Sequence, residues 1–495
     1  MTGLVGSSRL DEPKKGTRKS PRLLAAGIAF CLALLSACAS KEPPADDQEP
    51  TDVWTWISGS DQTWEAGVYG QKGVASPGNV PGARFLAASW SGADGNLWIF
   101  GGIGRDAGDF LETELNDLWK YDPASDRWTW VSGSSYGGQP GSYGTKGVAA
   151  STNVPGSRYG AVTWTDPGGR LWLFGGVGIA VEEESGELND LWRFDPATFL
   201  WTWISGGDHL YQLGVYGTKG VAAPDNVPGA RSGAVSWGDP QGGLWLFGGA
   251  GFNGAEPANV ELNDVWRFDP ATLEWTWISG SEEGDALGVY GTKGQGDPAN
   301  VPGGRNASVS WVDAQGKLWL FGGLGWGTSY EDNVVLLNDL WRFDPATLVW
   351  TWVHGEDSGG QAGVYGTKGL ASSSNTPGSR YSTVSWRDPQ GQFWLFGGIG
   401  FNSAGYESDL NDLWRFDPAT LEWAWISGSD IGGQAGVYGQ KRTAAVTNVP
   451  GAHRASVSCV GSQGKLWLFG GAGFDAAGDW GLLNDLWRYT RQQDL

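Results

Sequence analysis

The string LW(L/I)FGG, once with Phe for the first Leu, occurs six times in this 495-residue chain and constrains its fold more than any other feature. Its Phe stands at 100, 174, 247, 321, 396 and 469, so the spacing holds at 73 to 75 residues. A fixed period over most of a chain means that one supersecondary unit is stacked against copies of itself. Each copy reads in order as an Arg-led segment such as RSGAVSW (231–237), the apolar run GLWLFGG (243–249), LNDVWRFDP (262–270) and EWTWISG (274–280). Four short strand candidates per copy are a propeller blade. The second is apolar throughout, as suits a strand covered on both faces by neighbouring blades. In the fourth, two Trp lie two apart and share a face.

The connections fit strands as well. DPATLE (269–274) puts Asp before Pro, which predicts a type I turn. The glycine pair closing LWLFGG marks the end of the second strand with positive φ or close backbone approach. A total of 82 Gly and 32 Trp belongs with many short strands and tight turns. Helical periodicity does not appear after the N-terminal segment. The expected fold is all-β, six blades of four antiparallel strands each.

The sixth copy supplies HRASVSC, KLWLFGG and LNDLWRY, then ends at RQQDL without a WTWISG strand. That strand stands instead at the front, in VWTWIS (53–58). The expectation is a ring closed by strand 53–58 completing the last blade, with Trp54 and Trp56 buried against Trp487 and its neighbours.

An Arg-led strand, an apolar strand ending in GG, an aromatic-Asp-Pro turn and a late Trp resemble the kelch repeat, over residues 51–495. The departure is length: kelch units run to about 50 residues, whereas these run to 73–75, most of the excess lying between blades. The resemblance implies a place in the kelch and galactose-oxidase-like propeller superfamily. The copper-radical chemistry of galactose oxidase needs two His ligands and a Tyr-Cys cross-link, and the three histidines here, His209, His354 and His453, fall at unrelated blade positions. Sialic-acid mutarotases are also secreted six-bladed kelch proteins, so a sugar-modifying enzyme with a carboxylate-Arg acid/base site in the channel is the alternative reading. The main reading is a binding or scaffold module with no catalytic residues, metal or cofactor.

Residues 1–37 read as a bacterial lipoprotein signal peptide: basic residues precede LLAAGIAFCLALL, and Leu35-Ser36-Ala37-Cys38 resembles a lipobox, which makes Cys38 the lipid anchor. Residues 38–50 are then a flexible tether and 51–495 the propeller. Ala39 resembles the outer-membrane sorting class, so the protein is expected on the outer membrane, facing the periplasm or the cell surface. The whole chain carries a net charge of −21, and removing residues 1–37 takes away six basic and two acidic residues to leave about −25. Such acidity argues against a nucleic-acid partner and leaves membrane attachment to the N-terminal lipid alone. A monomer is expected, with a protein or glycan of the cell envelope as partner. With Cys38 acylated, only Cys459 remains, and no internal disulfide forms.

In an up-and-down blade the links between strands two and three and the links between blades emerge on one face, which makes that rim the expected binding surface. Its variable loops carry Phe110, Trp326, Tyr330, Tyr406 and Trp480, aromatics set among acids and Asn as a sugar- or protein-binding rim requires. A repetitive insert, GVYGTKGVAAPDNVPGAR (214–231) and its counterparts, sets out Tyr69, Tyr143, Tyr216, Tyr290, Tyr365 and Tyr438 with a Lys three residues on. These form either a ring for a repetitive glycan or a packing element in which Tyr plugs a groove and Lys pairs with a local acid. Packing carries more weight, because a scaffold must repeat and a site for one asymmetric ligand need not. The Asn-Asp pair before each third strand reads as local backbone bonding. A ring of arginines, Arg84, Arg158, Arg231, Arg305 and Arg380, falls where first strands line the channel; buried pairing with carboxylates is the leading expectation and anion capture the other. Blade six breaks the ring, with His453 at the Arg position, Arg454 beside it and Cys459 at the Trp position. Drift in a terminal unit accounts for that more readily than a site.

Overall fold

The computed structural model describes residues 52–491 apart from 109–111, 183, 256–258, 331–332 and 462–463; Cys38 and the segment around it lie outside the described residues. Blade three shows the common plan: Val235–Gly238, Leu244–Gly251, Val260–Asp269 and Glu274–Ser279, paired antiparallel in sequence order. The same four-strand order recurs in one sheet of each other repeat, the first repeat adding a separate three-stranded sheet of Arg84–Phe85, Ile103–Gly104 and Thr113–Glu114, and the strand that precedes all of them, Val53–Ser58, pairs antiparallel with Trp480–Thr490.

Closure is visible in the backbone itself. Leu86, Gly160, Gly233, Ala307, Ser382 and Ala455, one per blade, all have φ between 50° and 63°. Each donates its N–H to the carbonyl of the preceding one, and Leu86 donates to Ala455, at 2.7–3.0 Å throughout. Six hydrogen bonds thus form an unbroken circle where the chain enters the innermost strands. A second circle runs further out: Asn116 donates to the Pro155 carbonyl of the next unit, and the series continues through Asn189, Asn263, Asn338 and Asn411 until Asn484 donates to Pro81.

The core is divided rather than central. Six apolar clusters each bridge two adjacent blades, one of them joining Leu97, Ile99 and Trp119 of blade one to Val457, Trp467 and Phe469 of blade six. In every wedge the Phe of one LWLFGG packs on the outer-strand Trp of the next blade, as in Phe174 on Trp275 at 5.5 Å and Phe321 on Trp423 at 5.4 Å. Phe396 of blade five finds that partner in Trp54, also at 5.4 Å, so the N-terminal strand occupies the place a sixth WTWISG would fill. Trp54 meets Trp487 edge-on at 6.5 Å.

Two local expectations are corrected. The glycine pair does not end the second strand: in blades two to six the strand runs on through a bulge at the pair, as between Phe174 and Gly176, and pairs again with a lengthened third strand. Positive φ at both glycines makes this passage, and a Cβ on Gly175 would lie 2.7 Å from the Arg231 carbonyl of the next blade. In the DPATLE turn, Leu273 takes φ +61° while its N–H reaches the Asp269 carbonyl, so the loop closes on a left-handed residue beyond the type I part. Asp269 Oδ1 accepts the Ala271 N–H and stabilises the turn despite that strain.

Candidate functional site

The five ring arginines do not present a charged face to the channel. Each guanidinium is fully buried and gripped two-pronged by the Asp of the Asn-Asp pair in its own blade, Arg84 by Asp117 through Arg380 by Asp412, at 2.6–2.9 Å. Anion capture is thereby ruled against, because every such arginine is already neutralised and covered. The Arg residues also stand one step outside the innermost strands, in two-residue strands paired to the extension of the second strand. Burial opposes the Arg charge, but the adjoining carboxylate outweighs it and raises the guanidinium pKa.

The same carboxylate gathers the rest of the blade. It accepts the indole N–H two residues on, Trp119 for Asp117, and the hydroxyl of the insert tyrosine, Tyr69 for Asp117. All six tyrosines do this at 2.6–2.7 Å, each packed between two Trp rings. Burial first, and the Asp charge second, raise the Tyr pKa far above the ordinary phenol range. The insert lies along the outer strand of the blade it leads into: Gly73 N–H bonds the Trp130 carbonyl, and Asn79 donates to the Trp128 carbonyl. It shields a sheet edge that would otherwise stay unpaired. The lysines behave differently from expectation. Their Nζ atoms sit 4.1–4.3 Å from a Trp ring centre and donate to a Gly carbonyl at 2.6–2.8 Å; of the six, only Lys293 also makes an ion pair, with Glu356 at 3.7 Å. A face of indole replaces the carboxylate because the lysine reaches across the outer strand, where Trp130 and its equivalents lie.

Where the copies differ, they differ around the channel mouth. The residue after each ring Arg is Phe85, Tyr159, Ser232, Asn306, Tyr381 or Arg454, and the residue before each Leu-Asn-Asp is Glu114, Glu187, Glu261, Leu336, Asp409 or Leu482. Successive blades meet at these acids: Ser185 donates to Glu114, Asn306 to Glu261 at 2.8 and 2.9 Å, and Trp480 to Asp409 at 3.2 Å. Burial raises the carboxyl pKa of Glu114 and Asp409 and takes Glu261 to about 7, with Asp285 adding to the effect and Asn306 working against it. Two junctions are apolar instead. Leu482 packs with Ala83, Ala472, Trp64 and Phe85, while Leu336 lies in a hollow of about 350 Å³ lined also by Val334, Val335, Phe401 and Glu407. These mouth positions were not singled out from the sequence; the signal for them is that they vary among copies whose flanking Arg, Leu, Asn and Asp hold almost constant.

Of the five predicted rim aromatics, Phe110 lies outside the described residues. Tyr406 and Tyr330 are exposed, at 72% and 58%, and Trp480 at 42%. Trp326 is half-buried, its indole bonded to Asp285 at 2.9 Å and its ring edge-on to Tyr330 at 5.2 Å. Trp480 stacks with the Arg454 guanidinium at 5.3 Å beside the mouth. The histidines stay apart: His209 bonds Glu182, His354 accepts from the Gly355 N–H, and His453 is buried in blade six. Among the described residues no group of three or more His, Cys, Asp or Glu has the arrangement of a metal site. Cys459 is buried and unpaired, its thiol pKa raised by burial.

No curated protein matches the chain. The family model of the KLHDC2/KLHL20/DRC7 kelch-repeats domain matches residues 48–285 and again 142–366, so that its two registers overlap across the middle copies. Kelch-repeat domains generally mediate protein–protein binding. With its repeating units, its antiparallel blades and this match in hand, the chain belongs to the kelch-repeat family of β-propellers.

Proposed function

We propose that this propeller is an envelope-anchored binding module, held by a lipid on Cys38, that recognises a protein partner through the insert-bearing rim between blades four and six. The supporting observation is the hollow lined by Val334, Val335, Leu336, Phe401 and Glu407, together with exposed Tyr406, next in sequence to Glu407, and exposed Tyr330, in the loop before Val334. Exposed aromatics beside an apolar depression are the usual makings of an interface anchor point. Glu407 borders it, and the acidic side chains beyond, Glu261 and Asp409 among them, favour a partner carrying basic groups next to its apolar anchor. The lipobox-like segment is what supports an outer-membrane location.

The test is capture of envelope proteins by the full-length protein, run beside a glycan panel. Tyr330→Ala with Tyr406→Ala is expected to weaken protein capture by tenfold or more, on the order of 1.4 kcal/mol. Capture that both changes leave intact refutes the rim assignment, and binding confined to glycans refutes the protein partner.

A further inference from the structure

Five blades hold the same object in the same place: a guanidinium, clasped by an Asp and by the carbonyls of two glycines. In blade three these contacts are Arg231 to Asp264, to the Gly229 carbonyl at 3.0 Å and to the Gly248 carbonyl at 3.0 Å. Blade six retains the socket, with Asp485, Tyr438 and Trp487 in the usual relation and Gly451 and Gly470 at the equivalent positions. Only the cation is changed. His453 stands in the Arg position, 1% exposed, and its Nε2 stops 3.9 Å from Asp485 Oδ2. Both ring nitrogens of His453, Oδ1 of Asp485 and the Ser456 hydroxyl are buried with no hydrogen-bond partner. A buried carboxylate oxygen left without a donor is costly, and no other blade tolerates it at this position.

The socket lies directly beneath the mouth. Arg454, the next residue, spans from the Trp480 ring to Asp409, pairing with its Oδ1 at 3.7 Å. The half-buried Asp409 and the buried Asp485 both lie near enough to His453 to act on its charge. Burial raises the pKa of both carboxyl groups and lowers that of His453, which fits a place short of positive charge.

We propose that the blade-six socket binds a guanidinium supplied from outside the chain, the side chain of a partner's arginine or a small guanidinium compound, which enters past Asp409 and Arg454 and turns the His453 ring aside. The chemistry of the ligand is set by the five internal copies, whose acceptor geometry fits a planar two-pronged donor rather than a point charge. The site stands independently of the rim hollow, so either can fail without the other.

The experiment is thermal unfolding of the full-length protein with rising methylguanidinium, against sodium chloride and methylammonium at equal ionic strength. A short peptide with one arginine, paired with its lysine counterpart, distinguishes a side chain from a small molecule as the source. Wild type is expected to show a saturable rise in Tm with methylguanidinium. His453→Arg, which fills the socket internally, should lose that rise. His453→Ala, with no ring to displace, should reach it at about tenfold lower concentration. If His453→Ala does not fold, wild type against His453→Arg decides. No rise in wild type, an equal rise in His453→Arg, or an equal response to methylammonium overturns the proposal.

Discussion

Leu273, at φ +61° and 43% exposed, packs little and occupies a backbone conformation that costs an L-residue about 1–2 kcal/mol. Leu348 and Leu421 repeat the same strain at φ +59° and +61°. Glycine removes the strain and returns part of the gain as unfolded-state entropy. Leu273→Gly is thus expected to raise stability by up to about 1 kcal/mol, read from the denaturant midpoint. Glu261 supplies a second test at this scale. Its folded pKa, about 7, lies above its ordinary 4.5, so as pH climbs the unfolded chain releases its proton first. The folded state's advantage is whole below about 4.5 and is lost as pH rises through about 7, a loss of up to about 3 kcal/mol at 1.36 per unit. Glu261→Gln should abolish that portion of the slope; an unchanged difference from wild type between pH 4 and about 8 would show that Glu261 is not held protonated. Single residues were also where reading the chain succeeded and failed most sharply. Pairing of Arg231 with a buried carboxylate was legible because an arginine that the repeat places inside the ring needs a counter-charge. The lysine partners were not, since Lys219 and the Gly280 carbonyl it reaches lie 61 residues apart and the intervening indole, Trp277, reads as core.

Among elements, the N-terminal strand carries the clearest consequence. Val53–Ser58 contributes Trp54 to the wedge between blades five and six and offers its outer edge to the last insert, whose Arg442 N–H bonds the Trp56 carbonyl and whose Asn448 donates to the Trp54 carbonyl. Losing one buried Trp costs about 3–5 kcal/mol against a total stability of about 5–15. A protein beginning at Ser60 is expected to melt far below one beginning at Cys38, and equal Tm values would remove the strand from the account. This element was legible because the last copy lacked a segment that the front of the chain possessed. The inserts were half legible. Their repetition marked them as scaffold, but their course along the outer strand follows from hydrogen bonds such as Gly73 to Trp130, and no periodicity records such bonds.

At the scale of the molecule, six registering copies made the ring itself readable, and the closed circle from Leu86 to Ala455 bears that out. The variable mouth was less readable because a repeat draws attention to what stays constant, whereas Asn306, Asp409 and Arg454 stand out only by being unlike their equivalents. Closure also dictates an order of events. Trp54 pairs with Tyr489, so strand Val53–Ser58 has no place to dock until the chain has been made through Trp480–Thr490. Such distant pairing slows folding. Until then the growing arc ends at both sides in uncovered blades, whose exposed apolar faces and strand edges are open to non-native pairing.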